Sequence, residues 1–147
     1  MVAYSFKRRF VDPIRVGLGQ NYHIDMMKPP IPSPKRQTIR AVGKRRHAWP
    51  GEILQLYSGM RTKQCFSIGV ARCVFAEGIR ISVESGLVEI GAGTIEQREL
   101  RFGELEAFAR ADGFLDWSEM QEFWRAEHGE LTRLGPFVGV LIQWEPL

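Results

Sequence analysis

Residues 35–63 have the composition of an anion-binding segment. They contain eight basic side chains and a single acid, Glu52, and three of the basic residues stand together in the run GKRRH at 43–47. Such a segment attracts a polyanion, because each neutralised phosphate releases condensed counterions. Arginine outnumbers lysine here, and its planar guanidinium holds two phosphate oxygens at once. The eight basic residues are Lys35, Arg36, Arg40, Lys44, Arg45, Arg46, Arg61 and Lys63.

The same segment also carries side chains that could contact a base. Trp49 and Tyr57 offer aromatic faces for stacking, a contact used in single-strand recognition. His47 could touch phosphate or titrate near neutral pH. Alternatively, the two aromatic residues pack inside the fold, His47 only makes hydrogen bonds, and the cations form a solvated face. The predicted nucleic-acid contacts are Arg36, Arg40, Lys44, Arg45, Arg46, Trp49, Tyr57, Arg61 and Lys63.

The charge is divided unevenly along the chain. Residues 1–63 carry 13 basic and 3 acidic side chains, a net charge of +10, whereas residues 64–147 carry 7 and 14, a net charge of −7. The two halves could simply pair with each other in one domain. The concentration of cations in one short segment favours a polyanionic ligand instead.

Length and composition exclude several classes of protein. With 147 residues, 44% of them hydrophobic and 25% charged, the sequence indicates one globular domain over 1–147. The sequence has no apolar run long enough for a membrane span and no signal-peptide core, so we expect a cytoplasmic protein that makes no membrane contact. Two cysteines, Cys65 and Cys73, three histidines and no CxxC motif argue against a metal site. We expect Cys65 and Cys73 to be reduced thiols in the core. We also expect no cofactor.

The predicted elements are mostly short strands, followed late in the chain by helices. Alternating or β-branched residues predict strands at 3–6, 38–40, 53–57 and 87–90, two strands within 66–83 joined by a turn at 76–78, and a strand at 137–144 buried on both sides. Helices are predicted at 10–16 with Asp12 as cap, at 103–111 before Gly113, and from Asp116 to Gly129. Residues 17–34 predict a long proline-rich loop, and Pro50-Gly51 a type II turn.

This order of elements predicts an α+β protein. We expect a small mixed or antiparallel β-barrel with helices packed on it and a site in the cleft between barrel and helix. Trp117, Met120, Phe123 and Trp124 make one face of the last helix apolar. That face either packs on the sheet, as we expect, or binds a partner.

Several motifs resemble the ASCH domain family. They are KRQTIR at 35–40, HxxPGExLQLY at 47–57, FAxxDGF at 108–114, WxxM at 117–120 and FxGVLI at 137–142. The likeness extends from about Ala3 to Trp144, and the first two motifs carry most of its specificity. It implies a PUA-like β-barrel and the binding of RNA or a nucleotide in the cleft. The 17–34 loop is longer than the turn usual in the family.

Some members of the family are small amidohydrolases of N4-acylated cytidine. The resemblance assigns their chemistry to Lys35, Thr38 and Asp112, although the family usually has Glu at the third position. A threonine hydroxyl needs a nearby base, and a lysine serves as one when burial or neighbouring cations lower its pKa. Other members are proposed to cleave RNA, and for that reaction the candidates are Tyr57 and Lys63.

The sequence thus predicts a domain that binds RNA or a nucleotide through a basic cleft. The alternative is a small hydrolase on the same cleft, either an amidohydrolase or a ribonuclease. A third hypothesis is a protein-interaction module that uses the acidic helices. No oligomeric state follows from the sequence.

Overall fold

The computed structural model describes residues 1–20, 33–91, 94–133 and 135–147. Within these ranges the chain forms seven strands and three α-helices, with a 3-10 helix at Arg8–Phe10. The strands are β1 (Val2–Phe6), β2 (Gln37–Ala41), β3 (Ile53–Ser58), β4 (Phe66–Ser82), β5 (Leu87–Ile90), β6 (Arg98–Glu99) and β7 (Phe137–Pro146). The helices are α1 (Val11–Gly17), α2 (Phe102–Ala111) and α3 (Trp117–Arg133).

All seven strands belong to one mixed sheet. β4 pairs with β3 through its first part, with β5 through its last four residues, and with β7 along its other side. β2 pairs with the far side of β7, and β1 lies parallel to β3. Over the described strands no ladder joins β1 to β2, so the sheet is not closed. The α+β class is therefore confirmed, whereas the predicted barrel is not shown.

The prediction of two strands within 66–83 is wrong, because β4 is a single strand of 17 residues. The expected turn at Ala76 to Gly78 is extended and pairs with Ile142, Leu141 and Val140 of β7. β7 is ten residues long, and the pairing of its backbone with β4 continues through Gly78 without interruption. Tertiary pairing therefore overrides the local turn preference.

The helix predictions are mostly correct in position and differ at the ends. Phe10, not Asp12, precedes α1, and Asp12 lies in its first turn. Asp116 caps α3, since its Oδ1 accepts the Glu119 backbone N–H at 2.8 Å. The prediction that the last helix ends at Gly129 is confirmed in part, because α3 loses helical geometry at His128 (φ −130°, ψ 20°), one residue before Gly129. A second helical segment continues from this kink to residue 133.

The predicted turn at Pro50-Gly51 is confirmed. The Glu52 N–H donates to the Trp49 carbonyl at 3.0 Å, and Gly51 has φ 96°, as a type II turn requires. The predicted loop at 17–34 lies mainly outside the described residues, which end at Gln20 and resume at residue 33.

The core fills the space between the sheet and the helices. Phe10, Phe114 and Phe123 form one aromatic cluster, with ring centroids 5.3–5.6 Å apart. Met120 is fully buried and Trp124 is 5% exposed, so the prediction that the apolar face of α3 packs inward is confirmed. No helix in the described part of the chain is both long and apolar enough to cross a membrane.

Two predictions about burial are wrong. Cys73 is buried, as expected, but Cys65 is exposed in the turn before β4. β7 is not buried on both sides throughout, because Val138 is 57% exposed. Apolar residues at a strand end do not require burial when no second layer covers them.

Candidate functional site

A cavity of about 360 Å³ is lined by the edge strands β1 and β2 and by helix α3. This volume suits a small ligand. The walls combine aromatic rings with a few charged and polar groups. The described lining residues are Ser5, Phe6, Lys7, Phe10, Lys35, Thr38, Ile39, Arg40, Ala41, Asp112, Phe123, Trp124, Glu127, His128 and Phe137.

Lys35 and Asp112, which the resemblance assigned to one site, form a buried ion pair. Lys35 Nζ lies 3.3 Å from Asp112 Oδ1, and it donates a hydrogen bond to the Asp112 backbone carbonyl at 2.7 Å. Phe10 lies beneath the ammonium, with its ring centroid 4.6 Å from Nζ. Asp112 Oδ1 accepts no hydrogen bond from the described residues. The contact of Oδ1 with Lys35 is therefore an ion pair outside hydrogen-bond geometry, and this oxygen has lone pairs that can accept a further hydrogen bond.

Burial moves both groups toward their neutral forms. It lowers the pKa of Lys35 to about 8, although the Asp112 carboxylate acts in the opposite direction. It likewise raises the pKa of Asp112 against the attraction of Lys35. Desolvation thus outweighs the attraction between the two charges. An amine that loses its proton near neutral pH can act as a base.

Thr38 is held in the same cavity by Arg40. The guanidinium Nε donates to Thr38 Oγ1 at 3.1 Å, while Nη2 donates to the Ser5 carbonyl at 2.7 Å. Arg40 therefore bridges the unpaired edges of β2 and β1. Burial lowers the pKa of Arg40, but an arginine stays charged at neutral pH.

Gln37, which the sequence did not single out, fixes β2 against the helices. Its Nε2 donates to the Phe108 carbonyl of α2 at 3.3 Å, and its Oε1 accepts from Gln143 at 3.2 Å. The residue is 1% exposed. A buried amide with both ends bonded determines where the flanking Lys35 and Thr38 lie.

Gly113 holds the stem of Lys35 in place. Its φ is 96°, and a Cβ built there would lie 3.1–3.4 Å from three carbons of Lys35.

We expect Gly113→Ala to lower the free energy of unfolding by about 1–3 kcal/mol, because alanine is strained at a positive φ and its Cβ would crowd the Lys35 side chain. Urea denaturation measures this loss. Gly103→Ala is the control, since a Cβ there meets nothing within 4 Å, and an equal loss in both variants would contradict the account.

The predicted basic segment is divided between two places. Lys35 and Arg40 belong to the cavity, whereas residues 42–49 line a second concavity of about 410 Å³ with parts of β4 and β7. We call residues 43–46 the basic loop. Its Lys44 and Arg45 are exposed and form no ion pair with the described residues.

Arg46 and the residues after it are engaged within the protein. Arg46 forms an ion pair with Glu52, with Nη2 and Oε1 2.6 Å apart, and hydrogen bonds from Arg46 hold the pKa of Glu52 at about 2. Its guanidinium also lies 5.2 Å from the Trp49 ring, which is 67% exposed. His47 uses both ring nitrogens, since Nε2 bonds the Ala41 carbonyl and Nδ1 the Tyr4 hydroxyl.

The other predicted residues lie outside the cavity. Arg36 is exposed and donates to the Gly17 carbonyl at 2.9 Å. Tyr57 is half-buried on β3, and Arg61 and Lys63 are exposed in the turn that follows. Neither Tyr57 nor Lys63 is among the described residues that line the cavity, so the structure does not bring the two ribonuclease candidates into contact with the Lys35–Asp112 pair.

His128 is a lining residue that sequence reasoning missed but could have found. It follows Trp124 by one helical turn, so the apolar stripe of α3 could have been extended to it. The residues Phe6 and Phe10 could not be found in this way, because only the folded sheet brings them to the cavity.

Comparison of the chain with protein-family models, with curated proteins and with solved structures finds no match.

Proposed function

We propose that this protein binds single-stranded RNA or a nucleotide, with a base in the cavity and phosphates on the basic loop. The proposal includes an ASCH-type, PUA-like fold. The observation that carries it is the cavity itself, in which aromatic rings stand beside hydrogen-bonding groups. Aromatic faces bind any base, and buried polar groups select its edge.

The basic loop continues directly from the cavity along the chain. Ala41, at the end of β2, lines the cavity, and Val42, the next residue, lines the second concavity. Lys44 and Arg45 follow with exposed side chains. A nucleotide whose base enters the cavity therefore has cations nearby for its phosphates, and these contacts supply affinity that depends on salt.

Removing the two exposed cations of the basic loop tests this proposal. We expect Lys44→Ala with Arg45→Ala to weaken binding of a labelled ten-nucleotide RNA and to flatten its salt dependence. The slope of log K against log salt should fall in magnitude by about 1.4, since each lost contact to a single strand removes about 0.7. Fluorescence anisotropy between 50 and 300 mM KCl measures it.

A charge-matched variant separates local contacts from net charge. Arg80 on β4 and Arg110 on α2 are also exposed, and replacing both with alanine removes the same charge elsewhere. This control should keep the wild-type slope. Equal slopes in all three proteins, or no measurable RNA binding by the wild type, would contradict the proposal.

An amidohydrolase on the same cavity is the second candidate. One observation favours it: a buried amine whose pKa is about 8, the carboxylate paired with it and a threonine hydroxyl line one cavity. In this reaction neutral Lys35 would accept the proton of Thr38 as Oγ1 bonds to the acyl carbon. The proton would pass to the leaving amine, and water would then release the acid from the threonine ester.

A further inference from the structure

His128 presents its imidazole to the cavity from helix α3. The ring lies between Trp124 and Phe137, with centroids 4.7 and 6.3 Å away, and it is half-buried. The helix loses regular geometry at this residue, immediately before Gly129, where the low helix propensity of glycine weakens the helix. In the described part of the chain, neither ring nitrogen makes a hydrogen bond, unlike those of His47.

The other polar groups of the cavity are already engaged with one another. Arg40 bonds Thr38 and the Ser5 carbonyl. Lys7 at the rim forms an ion pair with Glu127, at 2.5 Å, and Lys35 is paired with Asp112. Two positions among the described lining residues can still take part in a hydrogen bond. Asp112 Oδ1 contacts Lys35 as an ion pair, outside hydrogen-bond geometry, and the imidazole of His128 lines the cavity from the helix.

We propose that His128 is a specificity-determining residue of the cavity, which hydrogen-bonds a bound base that Asp112 also contacts. This inference rests on the proposed function and deepens it. A ligand that satisfies both positions donates an N–H to the carboxylate and offers a second polar group to the imidazole. An uncharged, planar nitrogen heterocycle does both, and it also stacks on the aromatic wall.

The charges around His128 suit a neutral imidazole. Burial lowers its pKa, and Lys7 acts in the same direction, while Glu127 opposes them. Lys35, Arg40 and Asp112 are the other charged groups of the cavity. A neutral ring carries one donor and one acceptor, so it can pair with either kind of edge group on a base.

Two substitutions distinguish hydrogen bonding from packing. His128→Phe keeps an aromatic ring between Trp124 and Phe137 and removes both nitrogens, whereas His128→Gln keeps a donor and an acceptor and removes the ring. We expect the phenylalanine variant to bind nucleosides about tenfold more weakly, the effect of one hydrogen bond. The glutamine variant should retain most of the affinity. If His128 only packs between the two rings, the glutamine variant should instead lose more affinity than the phenylalanine variant.

The measurement is an NMR titration of the full chain with cytidine, uridine, adenosine and guanosine, each tested separately. The imidazole resonances of His128 in the wild type add a readout that needs no variant: its pKa should shift when a nucleoside binds. Thermal denaturation establishes that each variant is folded.

The outcomes separate this inference from the function on which it rests. Binding of a nucleoside to the wild type, with equal affinity in the phenylalanine variant and an unmoved imidazole pKa, would overturn the role of His128 and leave the base pocket standing. If no nucleoside binds the wild type, the base pocket itself is contradicted and the inference with it. Loss in the phenylalanine variant with retention in the glutamine variant supports both.

Discussion

Replacing Asp112 with alanine is expected to lower the free energy of unfolding by about 3–5 kcal/mol at pH 7. The substitution leaves the buried Lys35 amine without its counterion, so the lysine must release its proton when the variant folds, and at pH 7 that release is costly because the unfolded lysine is protonated. Lys35 is 2% exposed and Asp112 is 6% exposed, so water replaces little of the lost interaction. Urea denaturation at pH 7 measures the loss.

The double variant Lys35→Met with Asp112→Asn is the matched control. It removes both charges and should recover most of the loss, because desolvation already opposes the pair. The alanine variant should also regain stability between pH 7 and pH 10. Its buried lysine is neutral when folded, and the unfolded lysine approaches its own pKa over this range, so the cost of losing the proton shrinks. A loss that is the same at both pH values and persists in the double variant would contradict this account.

Hydrolysis of N4-acetylcytidine, if the cavity carries it out, is expected to rise about tenfold per pH unit below pH 8 and to level off above it. The neutral amine of Lys35 is the form that accepts a proton, and its pKa is about 8. The fraction of neutral Lys35 therefore increases with pH up to about pH 8 and changes little above it. Thr38→Val and Lys35→Met should each reduce turnover by at least about 100-fold. Mass spectrometry of released cytidine measures the rate.

Tyr57→Phe is the control for that experiment, because Tyr57 lies on β3 outside the described lining of the cavity. It should leave the release of cytidine unchanged. If it instead abolishes cleavage of total RNA, the ribonuclease alternative is supported. Turnover in Thr38→Val equal to that of the wild type would rule out the threonine as nucleophile.

Local pattern was sufficient to predict most elements but not all their ends. The Ala3 to Phe6 alternation and the Pro50-Gly51 turn depend on near neighbours, so they could be read directly. The turn at Glu77-Gly78 could not, since its extended form depends on β7, some sixty residues later. Gly129 marked the break in α3 at His128, but not the second helical segment that follows it.

The family resemblance grouped Lys35, Thr38 and Asp112, and the structure places all three in the lining of one cavity. Charge pattern treated Lys35, Arg40 and Arg46 as one surface. In the structure Lys35 is buried in an ion pair, Arg40 connects β2 to β1, and Arg46 is paired with Glu52. Composition does not reveal such divisions, since they depend on which side of a strand faces the core.

The position of β7 has a consequence for how the molecule folds. β7 lies between β2 and β4, so β2 has no partner in the sheet until β7 is in place. Gln37 and Gln143, which bond each other, are 106 residues apart, and closing so long a loop is slow. We therefore expect the segment that bears Lys35, Thr38 and Arg40 to be ordered late in folding, once β7 has paired with β4. A ligand that binds the cavity would then bind only the fully folded protein and stabilise it.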